Sequence, residues 1–131
     1  MKKILALLAA FVFFAAARFA SAQSLPYSNT AGVTATLVAA VPSSAVLTGY
    51  NISNPNSATI YVQFFNASTT SGITLGTTAP FFSLAVPPFG VTDGPTTAPV
   101  SFSAGIVIAA TTTPAGASAP TTAIPLTLFR N

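Results

Sequence analysis

The alternation of apolar and polar residues is clearest between Thr48 and Asn66, where it predicts two β-strands and a reversal. Side chains at every second position share one face of a strand, and the apolar residues of both arms follow this period. Between the arms, Asn54 and Pro55 favour a tight turn, because proline fixes φ and asparagine bonds to nearby backbone groups. The stretch therefore predicts a β-hairpin.

The same two-residue period recurs along the chain, and Gly, Pro and Asn separate its segments. Beyond the two arms, strands are predicted at residues 33–41, 81–86, 100–102, 105–112 and 124–130. Asp93 and Gly94, followed by proline, predict a structural turn. No segment beyond the N-terminal leader has helical periodicity with start and stop signals. Seven or eight short strands predict an all-β fold, an antiparallel β-sandwich of jelly-roll or immunoglobulin-like type, with a closed barrel as the alternative.

The N-terminus has the layout of a secretory signal peptide. Lys2 and Lys3 precede an apolar run of 14 residues, and Ala20 to Ala22 is a small-residue cleavage site. A membrane-spanning helix needs roughly 20 apolar residues, so this run is too short to be an anchor. We expect cleavage after Ala22 and export to the periplasm, the cell surface or the medium, with membrane contact only through the cleaved leader.

The domain organisation follows from the leader and the strand pattern. Residues 1–22 are the predicted signal peptide, and residues 23–32 are polar, contain Pro26 and lack a clear period, which predicts an N-terminal arm. Residues 33–131 predict a single β-sandwich domain. Removal of residues 1–22 from the 131-residue chain leaves 109 residues, enough for one core.

Charge is nearly absent once the leader is removed. The net charge of +3 comes from Lys2, Lys3 and Arg18, and the exported chain keeps only Arg130 and Asp93. Binding to nucleic acid is therefore excluded, because phosphate recognition uses several basic side chains. A neutral surface also favours contact between copies. Since the chain has no cysteine, its stability depends on apolar burial and hydrogen bonds.

The inventory of side chains argues against catalysis. Beyond the leader the chain has no His, Cys, Glu, Lys or Trp, and Asp93 is its single carboxylate side chain. Paired carboxylates, a base for a serine nucleophile and a zinc ligand set are all missing. We therefore predict a protein that is not an enzyme and that has no catalytic residues, no cofactor and no metal site.

Adjacent aromatic residues identify candidate contact positions. Neighbouring residues of a strand point to opposite faces, so one ring of Phe64-Phe65 and one of Phe81-Phe82 leave the core. The candidate interface residues are Tyr61, Phe65, Phe81 and Phe129. The alternative is burial of these outward rings beneath a loop.

Several segments together resemble a group of small β-sandwich proteins encoded by tailed bacteriophages. The resemblance rests on the segments GYNISNPN, YVQFFN, TLGTTAPFFSLAVPP, VSFSAGIVIAATTT and LFRN, within residues 45–131. Its matching turn positions are Asn51, Asn54 and Pro55. That group looks like virion-associated or decoration material, so the resemblance implies a structural or binding module without catalysis. The export leader departs from this pattern, and display by a bacterium is the alternative.

Two functions are compatible with these observations. The first is an exported structural or surface-interaction module that self-assembles through outward aromatic rings and strand edges, with itself or another surface protein as partner. The second is a monomeric module that binds a glycan or a peptide.

Overall fold

The computed structural model describes residues 25–131, which form eight β-strands. In chain order these are β1 (Leu25–Val33), β2 (Val38–Val41), β3 (Ala45–Ser53), β4 (Ile60–Asn66), β5 (Phe82–Val86), β6 (Val91–Phe102), β7 (Ile106–Thr111) and β8 (Ile124–Arg130). Among the described residues there is no helix of the length and apolarity needed to cross a membrane. The predicted signal peptide, residues 1–22, lies outside the described residues.

The strands form two antiparallel four-stranded sheets, and most neighbours within a sheet are distant in the sequence. Sheet A has the order β1-β8-β3-β6, and sheet B has the order β2-β7-β4-β5. This division of eight strands is that of a jelly roll, and it differs from the immunoglobulin arrangement of four strands against three. The predicted antiparallel β-sandwich is therefore confirmed.

One apolar core fills the space between the sheets. Its largest fully buried side chains include Leu47, Ile52 and Leu128 from sheet A and Ile60, Phe64 and Ile108 from sheet B. The Phe64 ring stacks on the ring of Phe82 at a centroid distance of 4.5 Å. Burial of each large apolar side chain contributes roughly 1.5–3 kcal/mol, so this core is the main source of stability.

The arms of the predicted hairpin belong to different sheets. β3 lies in sheet A and β4 in sheet B, so residues between them cross from one sheet to the other. Both strands were predicted, but their pairing as a β-hairpin is wrong. Strand pairing depends on contacts distant in sequence: β3 pairs with β6 and β8, and β4 pairs with β5 and β7.

Asn54 holds this crossover in place. Its side-chain nitrogen lies 2.9–3.0 Å from the carbonyl oxygens of Ala58, Val86 and Pro87. Its backbone N–H donates to the carbonyl of Gly90 at 2.8 Å. The side chain is 1% exposed, so these bonds replace water in satisfying buried backbone groups.

Asn56 extends the same network to the segment before β8. The backbone N–H and side-chain amide of Asn56 both donate to Oδ1 of Asn54, at 2.9 and 3.0 Å. The Asn56 side chain also exchanges two bonds with the backbone of Thr122. The backbone carbonyl of Asn56 accepts from Phe89 N–H at 3.0 Å. We name this cluster, formed by Asn54, Asn56 and their partners, the asparagine network.

The predicted N-terminal arm is instead part of sheet A. Most of it lies in β1, which pairs with β8. The prediction is wrong because β1 is an edge strand whose side chains are largely exposed, so it has little apolar periodicity. The predicted strand at 33–41 is likewise divided, because the chain passes from β1 in sheet A to β2 in sheet B.

Asp93 and Gly94 lie inside β6, opposite Asn51 and Tyr50 of β3. The predicted turn at Asp93 and Gly94 is therefore wrong. Gly94 adopts an irregular backbone conformation within the strand, with a φ of 140° that glycine allows. Further along β6, residues 96–99 stand opposite the single residue Thr48, which makes a wide bulge at the sheet edge.

The edge strands have features that hinder pairing with another chain. β1 and β6 are the edges of sheet A, and β2 and β5 are those of sheet B. β2 has only four residues, and β6 contains the wide bulge. Prolines, which lack an N–H donor, lie in or beside all four edges, at Pro26, Pro42, Pro87, Pro95 and Pro99. Such features are how proteins prevent edge-to-edge association.

Pro125 occupies the second position of β8, which is an interior strand between β1 and β3. The sequence predicts an edge or entry position for this proline, and the entry position is the one observed. Residues 30–32 of β1 bulge opposite Pro125, where the proline has no N–H to donate.

We predict that Asn54→Ala lowers the free energy of unfolding by about 3 kcal/mol, because several buried backbone groups lose their partners together. The measurement is urea unfolding followed by circular dichroism. Asn51→Ala, a change of the same chemistry at an exposed strand position, is the matched control and should alter the value by less than about 0.5 kcal/mol. Equal effects of the two substitutions would contradict the role of the asparagine network.

Candidate functional site

The outer face of sheet B is covered over most of its two central strands, β4 and β7. Side chains that point away from the core on β4 and β7 are nonetheless almost inaccessible: Gln63, Val107 and Ala109 are 0% exposed and Phe65 is 3% exposed. Every residue of β7 is buried, as the apolar run at 105–112 predicts for a strand covered on both faces.

Two long connections form the cover. The segment 67–81, between β4 and β5, lies over Phe65, which lines one hollow with Ile73 and Thr78. The segment 112–123, between β7 and β8, lies over Gln63, whose Nε2 donates to Thr111 Oγ1 at 2.6 Å and to the Gly116 carbonyl at 2.9 Å. The bond to Gly116 joins the second connection to the sheet.

Phe65 is therefore not an interface residue. The sequence correctly predicts its outward direction, but the ring is buried under segment 67–81. Tyr61 points to the same outer face and is half-buried. Of the two alternatives for the outward rings of β4, burial beneath a loop applies to Phe65.

The outer face of sheet A is uncovered, and the strand registers order it into rows. One row crosses all four strands with polar side chains, in the order Ser28, Thr127, Asn51 and Asp93. The adjacent row is apolar, in the order Pro26, Phe129, Gly49 and Pro95. Asn51, Asp93 and Phe129 are exposed, and Thr127 is half-buried.

A groove of about 460 Å³ lies on this face at the boundary between the two rows. Its lining includes Gly49, Asn51, Asp93, Pro95 and Phe129. Gly49 forms the floor, since a Cβ at this position would stand 3.1 Å from the Gly94 carbonyl oxygen and 3.4 Å from the Phe129 ring. A larger residue at Gly49 would fill the groove. We call this the sheet A groove.

The other predicted site residues are dispersed. Phe81 is 56% exposed and packs against Phe102 at a ring-centroid distance of 5.4 Å, so it covers one edge of the core. Asn54 and Pro55 lie in the crossover between β3 and β4. Asn51 lies in β3 rather than in a turn, and this predicted turn position is wrong.

The groove brings Asn51, Asp93 and Phe129 together, although the sequence assigned the first two to turns. Gly49, Thr127 and Ser28 were missed as site residues. The alternation of β8 places Thr127 on the same face as Phe129, but the neighbouring strands are known only from the sheet order. No local pattern in the sequence could have identified Ser28.

The residues that line the groove determine the contacts that it can make. Its lining residues include one with a carboxylate, one with a side-chain amide, one with a hydroxyl and two with aromatic rings, namely Asp93, Asn51, Thr48, Tyr50 and Phe129. Across residues 25–131 there is no group of three or more metal-ligating side chains. The groove lining can form hydrogen bonds and aromatic contacts with a ligand.

Comparison with protein-family models, curated protein sequences and solved structures finds no match for this chain. The resemblance to bacteriophage β-sandwich proteins stays a prediction from the sequence.

We predict that Phe65→Ala and Phe129→Ala have very different effects on stability, although both rings point outward from a sheet. Phe65→Ala should lower the free energy of unfolding by about 3 kcal/mol or more, because it empties a buried site. Phe129→Ala removes an exposed ring from above Gly49 and should cost about 1 kcal/mol or less. Urea unfolding measures the stability of both variants. Similar losses would contradict the conclusion that Phe65 is buried beneath a loop and that Phe129 is exposed.

Proposed function

We propose that this chain is an exported, non-catalytic surface-interaction module that binds its partner through the outer face of sheet A. The observation that carries this proposal is the difference between the two outer faces. Connections cover Phe65 and Gln63 on sheet B, whereas the rows containing Asn51 and Phe129 are open on sheet A.

The strand edges support contact through the face. Addition of a strand from a partner requires a free edge with regularly spaced N–H and C=O groups. Prolines interrupt β6 at Pro95 and Pro99, and the bulge at residues 96–99 separates its two paired parts. Strand pairing between copies along β6 is therefore unfavourable.

The size of the face favours a small ligand over a stable dimer. With seven residues in β8 and four strands side by side, the flat area is roughly 450 Å². A standard protein interface buries about 800 Å² on each partner. The groove of about 460 Å³, in contrast, lies within the range of small-ligand sites, roughly 300–1,000 Å³.

We predict that Thr127→Arg weakens binding at least about tenfold, because a long charged side chain in the centre of the face would obstruct any ligand. The measurement uses the purified protein and a surface panel of immobilised polysaccharides, peptides and intact bacterial cells. Ala85→Arg is the matched control, because Ala85 is exposed on the outside of sheet B.

Binding to at least one member of the panel should be lost with Thr127→Arg and kept with Ala85→Arg. Binding that neither substitution affects, or that only Ala85→Arg removes, would contradict the proposal, and so would the absence of binding to every member.

A second candidate function, self-assembly, is favoured by one specific observation at Phe89. This residue is 75% exposed and has a φ of 50°, which is rare for a bulky side chain. It occupies the third position of a turn closed by a bond from Gly90 N–H to the Pro87 carbonyl, a position that usually holds Gly or Asn. A strained and exposed aromatic ring, with exposed Val91 two residues away, suits contact with a second copy.

We predict for this second function that Phe89→Gly abolishes self-association while leaving the fold as stable as before or more stable by about 1 kcal/mol, because glycine relieves the strain. Sedimentation velocity over a range of concentrations measures the association, and urea unfolding measures the stability. Phe81→Ala, at another exposed ring, is the control. A wild-type protein that sediments as a monomer at every concentration would rule out self-assembly.

A further inference from the structure

We infer that the sheet A groove binds a neutral polysaccharide chain, with a sugar ring against Phe129 and its hydroxyl groups on Asn51, Thr127 and Asp93. This inference rests on the proposed function of the same face and names the class of its ligand. Two observations support it: the strand registers place an aromatic ring beside polar side chains, and no basic side chain among residues 25–131 lines the groove.

The groove combines an aromatic ring with polar side chains at short spacing. Phe129 and Asn51 lie on adjacent strands, one row apart, because Gly49 pairs with Phe129 and Asn51 pairs with Thr127. Successive outward positions of a strand are about 7 Å apart, and adjacent strands are about 4.8 Å apart. A sugar ring that stacks on Phe129 therefore has its hydroxyl groups within reach of Asn51 and Thr127.

Sugar rings match both halves of this arrangement. The C–H groups on one face of a β-linked pyranose form a flat apolar patch with a slight positive charge, which is attracted to the negative face of an aromatic ring. The hydroxyl groups around the rim donate to carboxylates and exchange bonds with amides. The Asp93 carboxylate can accept two such bonds, and the Asn51 amide can both donate and accept.

The dimensions fit a chain rather than a single sugar. Asp93 lies on β6, two strands from Phe129 and one row away, through the pairings with Asn51 and Gly49. The distance across the face is therefore about 12 Å, which exceeds the width of one sugar ring. The face continues from Thr127 and Phe129 to the exposed residues Ser28 and Pro26 of β1, so a linear polymer can extend beyond the groove.

The charges exclude acidic ligands. Asp93 is the one charged side chain that lines the groove, and Arg130 is the one basic side chain among residues 25–131. A uronic acid, a sialic acid or a phosphate at Asn51 would face the Asp93 carboxylate without a compensating base. The ligand that fits this charge pattern is neutral.

A peptide fits the groove less well. The backbone groups beneath the groove pair with those of neighbouring strands, so the face offers side chains alone. Peptide recognition by strand addition uses free main-chain groups at a sheet edge. Hydroxyl-rich ligands need only side-chain donors and acceptors, and these are what Asn51, Thr127 and Asp93 provide.

The test is titration of the purified protein with the β-1,4-linked hexasaccharides of glucose, mannose, xylose and N-acetylglucosamine, measured by calorimetry and by amide chemical shifts. We expect at least one of these neutral probes to bind with a dissociation constant below about 1 mM. The chemical shift changes should centre on Gly49, Asn51, Thr127 and Phe129.

Phe129→Ala should weaken this binding at least about tenfold, and Phe129→Tyr should retain it within about threefold, because the ring is kept. Phe89→Ala removes an exposed ring outside the groove and is the matched control, with an expected change below about twofold. The unfolding midpoint of each variant is measured alongside, so that loss of binding is separated from loss of the fold.

The preference for neutral over acidic ligands is measured with an acidic probe. A hexamer of glucuronic acid should bind the wild-type protein at least about tenfold more weakly than the best neutral probe, and Asp93→Asn should narrow this difference at low salt. Equal binding of the acidic and neutral probes to the wild type would overturn the inference.

Failure of the glycan assignment is distinguishable from failure of the proposed function. If no neutral hexasaccharide binds, or if Phe129→Ala leaves the affinity unchanged, the polysaccharide inference is wrong. If a peptide then binds in a manner sensitive to Thr127→Arg, the surface-interaction module stands with a different ligand. If no ligand depends on this face, both are wrong.

Discussion

The asparagine network is the constraint on which the two-sheet arrangement depends. Asn54 and Asn56 bond to the end of β5, to the turn before β6 and to the segment before β8. Thr122, the most distant partner, lies 66 residues from Asn56 in the sequence. In this chain, which has no cysteine, buried amides connect distant segments as disulfides do in many secreted proteins. The network therefore positions β3 and β4 in opposite sheets, and each strand can then pair with its distant partners.

The sequence predicted which segments are strands far better than which strands pair. Alternation identified β3, β4, β5, β7 and β8, because each has one face or both faces in the core. It failed at β1, which lies on an edge and has few buried side chains. The hairpin and the turn at Asp93 and Gly94 failed for another reason: Asn, Gly and Pro favour irregular backbone, and crossovers and bulged strands use the same irregularity as turns.

The candidate site was harder to predict, because it depends on what covers each sheet. Phe65 and Phe129 have the same sequence signature, an aromatic ring at an outward position of a regular strand. Segment 67–81 covers the first ring and nothing among the described residues covers the second to the same degree. Loop placement is set by bonds such as that between Gln63 and Gly116, which link residues that show no relation in the sequence. The outer face of sheet B is thus largely buried over β4 and β7, and the outer face of sheet A is accessible.

The wide bulge of β6 has a consequence for how this surface can change during evolution. Residues 96–99 stand opposite Thr48 alone, and regular pairing resumes at Val100 on one side and at Pro95 on the other. Insertions or deletions within 96–99 therefore leave the pairing of β6 with β3 intact on both sides of the bulge. A change of one residue in the length of β3 or β8 would instead turn every following side chain to the opposite face of the sheet. Because Pro95 lines the sheet A groove, a change of length in the bulge can alter the shape of the groove and leave the paired strands unchanged.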